Sequence, residues 1–334
     1  MKLAIIGITG LVGLKIKEIL EKSQLYIDTI IPVASKKNVG KQVLFRKKYY
    51  KIINCDNILD YHPDIVLLSA GAEISKKIVP ILIQNNITVI DNSSAWRMNK
   101  NVKLIVPEIN ANILTKKDKI ISNPNCTTIQ LLMGIHNLHK IFKIKRLVLS
   151  TYQSITGTGK NAIKQLYNER NNIVMSNKEM AYQYKIDMNI IPQIDIFLNN
   201  GYTKEEIKII NETKKIMNDD EIKITATAVR VPVIGGHSIS VNIQFDKSFK
   251  LHDIFSIIKN TDGVILKDDI NNNIYPMPID VHEKDEVYIG RIRIDESCKN
   301  SLNMWIVADN LRKGAATNAL QILDYLIKNK ILSK

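Results

Sequence analysis

Apolar residues fall into two rhythms along this chain. In the first part, short unbroken apolar runs at residues 3–6, 29–34, 65–70 and 87–90 alternate with helical stretches. Leu11, Ile16, Ile19 and Leu20 have helical spacing within residues 11–22, and residues 71–85 read as another helix. Unbroken runs fit strands buried on both faces. Their alternation with helices predicts a parallel sheet covered on both sides, doubly wound by right-handed crossovers. After about residue 145 the rhythm changes. Residues 146–153 read as a strand, and 222–231, 238–246 and 287–294 alternate apolar with polar positions, the pattern of an antiparallel sheet with one wet face. Helices are predicted over 159–170, 203–217 and 251–259. A last one over 312–329 carries Ala315, Ala319, Ile322 and Leu326 at helical spacing that extends back to Leu311.

The expected organisation is therefore two domains, 1–125 and 126–309, with a C-terminal helical segment, 310–334, returning to the first. The length of 334 residues and an apolar content of 45% support cores of that size. The segment Met1–Gly10 reads as a first strand rather than a leader. No apolar run reaches the ~18 residues needed to span a bilayer. The expectation is a cytoplasmic protein with no membrane partner. Cys55, Cys126 and Cys298 are odd in number, far apart and without a C-x-x-C pair. That argues against a disulfide framework and against a zinc site, and leaves room for a reactive thiol. The formal charge of +14 arises from dispersed lysines with no basic tail, so no nucleic-acid partner is expected, although a positive field attracts anionic substrates.

Gly7, Gly10 and Gly13 follow the first strand and open a helix in a G-x-x-G-x-x-G spacing. Such a turn lets a pyrophosphate approach the backbone and meet the unpaired N–H groups of a helix N-terminus. The second strand ends in Ser35-Lys36-Lys37, where NAD enzymes commonly place a carboxylate for the ribose hydroxyls. A hydroxyl and two cations suit a 2′-phosphate and favour NADP, while plain solvated lysines would look the same. In Ser122-Asn123-Pro124-Asn125-Cys126-Thr127-Thr128 an apolar strand ends, Pro124 breaks the chain and a helix begins. A cysteine there gains thiolate stabilisation from the helix N-terminus. The stretch by itself equally fits a small buried cysteine at a strand–helix corner. Of six histidines, His237 follows two glycines at a bend between strands and is the candidate base. His136 and His139 share a helix but lack partners for a metal, and His62, His252 and His282 sit in polar, turn-like contexts.

Taken together these motifs resemble those of the aspartate-β-semialdehyde dehydrogenase family. The match runs nearly end to end, through Gly7–Gly13, Asn92–Arg97, Val106–Glu108, Asn123–Gln130, Ser150–Gly159, Pro192–Asp195, Glu205–Ile216, Arg230–Ser238, Gly290–Arg293 and Met304–Ala316. The resemblance implies a Rossmann-type doubly wound domain joined to an α+β catalytic and dimerisation domain with a largely antiparallel sheet, assembled as a homodimer. It implies that L-aspartate 4-semialdehyde, phosphate and NADP+ interconvert with L-4-aspartyl phosphate, NADPH and a proton. In biosynthesis this runs toward the aldehyde, for lysine, diaminopimelate, methionine and threonine.

Carried over residue by residue, the resemblance implies Cys126 as the acyl-carrying nucleophile, His237 as the acid–base group and Gln153 as the residue orienting the substrate. It implies Arg230 on the α-carboxylate, Glu205 on the α-ammonium, and Arg97 with Lys208 on the phosphate. Thr9, Gly10, Leu11, Val12, Ser35, Lys36, Lys37 and Ser69 match its dinucleotide contacts, and Thr156, Gly157 and Asn310 match residues by the nicotinamide; no metal is implied. The chain departs from the pattern at Ala228, where cysteine is common, at Thr156 and Thr158, and in a polar, shortened 171–190 region. A related N-acetyl-γ-glutamyl-phosphate reductase would carry a Pro-Gly-Cys-Tyr-Pro-type motif instead of Asn123–Thr128. A non-catalytic dinucleotide-binding regulator would need no Cys126 with His237.

Overall fold

The structure, a computed structural model, describes residues 1–332 and divides into two compact units. The first comprises Met1–Asn125 and the segment from Ala315 onward; the second is Cys126–Gly314. The last two residues of the expected 310–334 segment lie outside the described residues.

The first unit contains β1 (Lys2–Ile6), α1 (Leu11–Lys22), β2 (Thr29–Val33), β3 (Gln42–Phe45), β4 (Lys48–Lys51), β5 (Ile65–Leu68), α2 (Ala72–Gln84), β6 (Thr88–Asp91), β7 (Lys103–Leu104), α3 (Pro107–Asn110) and β8 (Ile120–Ser122). Six strands form a sheet in the order β2-β1-β5-β6-β8-β7, every pair parallel. The four-residue run Ile-Val-Leu-Leu of β5 is wholly buried in its centre, as a strand packed on both faces requires. Alternation along β1 sends Leu3 and Ile5 to one face and Ala4 and Ile6 to the other. The first pair packs with Ile16 and Leu20 of α1, the second with Ile78, Val79 and Leu82 of α2.

The strand order reverses between β1 and β5. The chain leaves β1 through α1 to reach β2 on one side, then comes back to β5 on the other. The crevice beyond the strand ends at such a reversal is where doubly wound sheets bind ligands. Gly7 (φ 88°) closes β1 there. A Cβ on Gly7 would lie 2.3 Å from the Ser69 carbonyl oxygen, and one on Gly13 would lie 2.2 Å from the Gly7 carbonyl oxygen. The first turn of α1 therefore sits on the Gly7 peptide with no room for a side chain. Gly13→Ala is expected to destabilise the fold by about 2 kcal/mol, through overpacking against backbone that cannot move aside. A fall in melting temperature of several degrees in a thermal unfolding scan would show it; an unchanged melting temperature would contradict it.

The second unit contains α4 (Cys126–Phe142), β9 (Ile144–Ser154), α5 (Lys160–Arg170), α6 (Lys204–Met217), β10 (Lys223–Val231), β11 (His237–Phe245), α7 (Leu251–Lys259), β12 (Val264–Leu266), α8 (Pro278–Val281), β13 (Val287–Ile294) and β14 (Ser301–Ala308). Its sheet runs β10-β9-β11-β14-β13-β12. The three central pairings are antiparallel, as expected, but both edge pairings are parallel. The sheet is thus mixed. Helices α4, α6 and α7 pack against it. Half-buried side chains such as Ser150, Tyr152, Ser240, Asn242, Asn303 and Trp305 alternate with the buried positions of β9, β11 and β14. Between Arg170 and Lys204 the chain forms turns and isolated bridges and no helix.

The predicted C-terminal helix begins as one π-helical stretch, Arg312–Ala316, and continues as α9 (Thr317–Lys328). Ala319, Leu320, Ile322, Leu323 and Leu326 of α9 join the β1–α1 core of the first unit. Asn318 Nδ2 donates to Asn123 Oδ1 at 2.6 Å and to the Ile105 carbonyl at 2.9 Å, which ties α9 to the end of that sheet.

Candidate functional site

In the first unit a cavity of about 600 Å³ opens at the reversal point. Gly7, Thr9, Gly10, Ser35, Lys36 and Ser69 line it on the polar side, and Ile58, Leu59, Ile74 and Ile81 on the apolar side. Glycine backbone, hydroxyls and a cation facing a flat apolar slot are what a dinucleotide's phosphates and rings require. The tight Gly7–Gly13 packing is the cradle that a side chain would fill. Leu11, Val12 and Lys37 do not line the cavity: Val12 packs on the core, and Lys37 is exposed in a 3-10 turn spanning Lys36–Asn38. Lys77 of α2, whose sequence setting is that of a solvated helical lysine, lies on the cavity wall.

Arg97 also belongs to this unit. It is buried, and its Nη2 donates to the Asn92 carbonyl at 2.8 Å. The side-chain amide of Asn92 is sequestered from water with no hydrogen-bond partner, a sign of a polar group kept for a ligand. Its place two residues into Ile90-Asp91-Asn92-Ser93 carries no periodic signal that would have marked it.

In the second unit, strand register assembles the site. Gln153 of β9 stands opposite Arg230 of β10 across their parallel pairing, and Ser238 of β11 pairs with Tyr152. Gln153, Arg230 and His237 therefore meet at one end of three adjacent strands, and all three are buried. Cys126 is the first residue of α4, and its Sγ lies 3.4 Å from His237 Nε2. A Cβ on Gly314 would lie 2.9 Å from the Cys126 Cβ and 3.3 Å from Gln130 Nε2, so the π-helical backbone presses directly on the thiol-bearing residue. Gln130 Nε2 donates to the Ala308 carbonyl at 3.0 Å and holds that approach in place.

The ring of His237 is fixed at both nitrogens. The backbone N–H of Ser154 donates to Nδ1 at 3.0 Å, so the neutral ring carries its proton on Nε2, toward sulfur. Burial, and secondly the Arg230 guanidinium, push the imidazole well below the usual histidine range; a contact with the Gly236 backbone works the other way. The site thus holds a neutral imidazole whose N–H points at the thiol.

Arg230 Nη1 donates to the Ser154 carbonyl at 2.6 Å, while its Nε is buried with no partner. A cavity of about 250 Å³ beside it is lined by Thr158, Tyr182, Gln193 and Asp195. Glu205 is buried on α6, close to Gln153 Nε2 (3.4 Å) and Lys208 Nζ (3.4 Å). The i,i+3 ion pair of Glu205 and Lys208, the ordinary reading of these two residues, is present, with Glu205 itself buried rather than solvated. Lys208 is also 2.7 Å from Asp195. The Thr156 hydroxyl donates to Asn310 Oδ1 at 2.8 Å, joining two residues far apart in the chain.

The remaining titratable clusters have structural partners. His136 and His139 each bind backbone, at Leu132 and Ile144. His282, Glu283 and Asp309 are close enough to hold a cation, but the Asp309 carboxylate already accepts N–H groups from Glu283, Leu311 and Arg312. The cysteines are free thiols, with no disulfide among the described residues. No helix of the described chain is long and apolar enough to cross a membrane.

Against known proteins, residues 2–117 match the semialdehyde dehydrogenase NAD binding domain and residues 135–313 the semialdehyde dehydrogenase dimerisation domain. The aspartate-semialdehyde dehydrogenase of Aquifex aeolicus is 43% identical over 339 residues, covering 99% of each chain. That of Bacillus subtilis is 39% identical over 338 residues, covering 98% of each. A crystal structure of aspartate semialdehyde dehydrogenase II from Vibrio cholerae, complexed with ASA, superposes with a TM-score of 0.93 at 37% identity, covering 98% of each chain.

Proposed function

The chain belongs to the semialdehyde dehydrogenase family, and from that premise we propose that it is an aspartate-semialdehyde dehydrogenase working through a Cys126 thioester. In the biosynthetic direction it turns L-4-aspartyl phosphate into L-aspartate 4-semialdehyde. The single observation that carries this reading is the Cys126 thiol, at the head of α4 and 3.4 Å from a buried imidazole.

The sulfur attacks the acyl phosphate carbon, the C–O bond to phosphate breaks, and phosphate leaves. The thioester carbon is then reduced and the resulting hemithioacetal releases the aldehyde and the thiolate. Gly7, Thr9, Gly10, Ser35 and Lys36 would hold a nicotinamide dinucleotide, which would supply the hydride. His237 serves as the donor at the reacting carbon: an oxygen on the carbon attached to Sγ falls within reach of the same Nε2–H that now faces the sulfur. That N–H donates to the oxyanion as it forms and releases it as the hemithioacetal collapses. Gln153 orients the carbonyl beside the sulfur.

Arg230 takes the α-carboxylate with a two-donor fork, and its buried, unpartnered Nε supports that role. Glu205 takes the α-ammonium, and Lys208 and Arg97 bind phosphate. Asn310, positioned by Thr156 beside Gly157, serves the nicotinamide end. We further propose a homodimer. The half-buried face of the second sheet and the exposed apolar residues Val174, Met188 and Ile190 support pairing with a second copy.

Among dinucleotides we favour NADP, with the 2′-phosphate near Ser35 and Lys36. Lys36→Glu is expected to raise the KM for NADP about tenfold more than that for NAD, one charge-assisted contact's worth. Lys37→Glu is expected to do so less, since its side chain does not line the cavity. Equal effects on both cofactors would refute the assignment. The reaction itself is tested by NADPH formation from aspartate semialdehyde and phosphate. Turnover with the N-acetylated glutamate semialdehyde and none with aspartate semialdehyde would overturn it.

A further inference from the structure

Lys208 is held between two carboxylates, and they are not equivalent. Glu205 lies on the same helix, buried, with its Oε2 3.4 Å from the ammonium and its other oxygen close to Gln153. Asp195 comes from a loop thirteen residues earlier and sits closer, at 2.7 Å. It is presented rigidly. Its backbone is left-handed (φ 69°), its Oδ1 accepts the Ile196 N–H at 2.8 Å, and its carbonyl accepts the Gln193 side-chain amide at 3.1 Å. It lines the same cavity as Arg230.

We propose that Asp195 is a positioning residue for phosphate exchange: its carboxylate claims the Lys208 ammonium when phosphate is absent and competes with phosphate for it. The inference rests on the reading of Lys208 as a phosphate ligand. Two carboxylates around one ammonium leave a local excess of negative charge, which opposes a phosphate dianion. An entering phosphate must draw Lys208 away from Asp195. A departing one is replaced at once by Asp195, so the lysine regains the closer of its two carboxylate partners. In the direction that makes the aldehyde, phosphate is expelled as the thioester forms, and a lysine that held it too tightly would favour reversal.

The test is steady-state kinetics of the full-length enzyme with inorganic phosphate as the varied substrate and aspartate semialdehyde and NADP+ saturating. Asp195→Asn, which removes the charge and keeps the shape, is expected to lower the phosphate KM about 3- to 10-fold, as loss of a partly exposed ion pair allows. The aldehyde KM should stay within about twofold of wild type. In the reductive direction phosphate should become a tighter product inhibitor by the same factor, and Asp195→Glu should restore the wild-type value. An unchanged or raised phosphate KM overturns the proposal, as does a parallel loss in aldehyde KM and kcat, which would mark a merely structural role. Lys208→Met separates the two layers. If it leaves the phosphate KM unchanged, the Lys208 assignment fails and this inference with it. If it raises that KM while Asp195→Asn fails to lower it, only the Asp195 inference falls.

Discussion

Cys126→Ala is expected to lower turnover with aspartate semialdehyde at least ~10⁴-fold, while binding of the dinucleotide, measured by its fluorescence, stays close to wild type. The size of the loss follows from covalent chemistry. Without sulfur there is no thioester, and the aldehyde must be oxidised as a hydrate that nothing in the site is built to make. Cys126→Ser leaves an oxygen in the same place and is expected to recover little, because a neutral hydroxyl at a helix start is a far weaker nucleophile than a thiolate. A variant that retained a tenth or more of wild-type turnover would remove Cys126 from the chemistry.

His237→Ala is the second large effect, expected at about 10²- to 10⁴-fold in kcat, the usual worth of a positioned proton-transfer group. The environment also fixes the sign of the pH dependence. Burial and Arg230 hold the ring's basicity well below the usual histidine range, so the imidazole is neutral at neutral pH and becomes charged only in more acidic solution. An imidazolium would carry a proton on Nδ1 against the Ser154 N–H, which now donates there. Activity should therefore fall only as the pH drops below the usual histidine range, and that acid limb should vanish in His237→Asn. An acid limb at an ordinary histidine pH, or one that survives in His237→Asn, would show that another group titrates.

Much of this arrangement is legible in the amino-acid order because it rests on local signals. The runs at Leu3–Ile6 and Ile65–Leu68 are apolar at every position, short and each followed by a glycine-containing turn, which together fit a strand packed on both sides. Gly7 and Gly13 report a backbone approach too close for a Cβ. Pro124 and the helical spacing after it place Cys126 at a helix start. What stays hidden depends on partners distant in the chain. The two-residue β7 and three-residue β12 are too short to show a period. The parallel edge pairings of the second sheet depend on which strands the crossovers bring together. The interaction between Ser154 and His237 spans 83 residues and uses a backbone N–H, so no side-chain pattern announces it. Asp195 sits in a loop, and its meeting with Lys208 becomes visible only once that loop turns back on α6. Lys36 and Lys37 are adjacent and chemically alike; only the direction of the 3-10 turn separates the one that lines the cavity from the one that does not.

The central claim is an acyl group carried on Cys126, and the most direct test omits the acceptor. Rapid mixing of the enzyme with aspartate semialdehyde and NADP+, without phosphate, should give a burst of NADPH approaching one per subunit. Peptide mass spectrometry after acid quench should find the aspartyl group on the peptide containing Cys126, and added phosphate should discharge it. NADPH formation with no mass added to that peptide, or an equal burst from Cys126→Ala, would contradict the account.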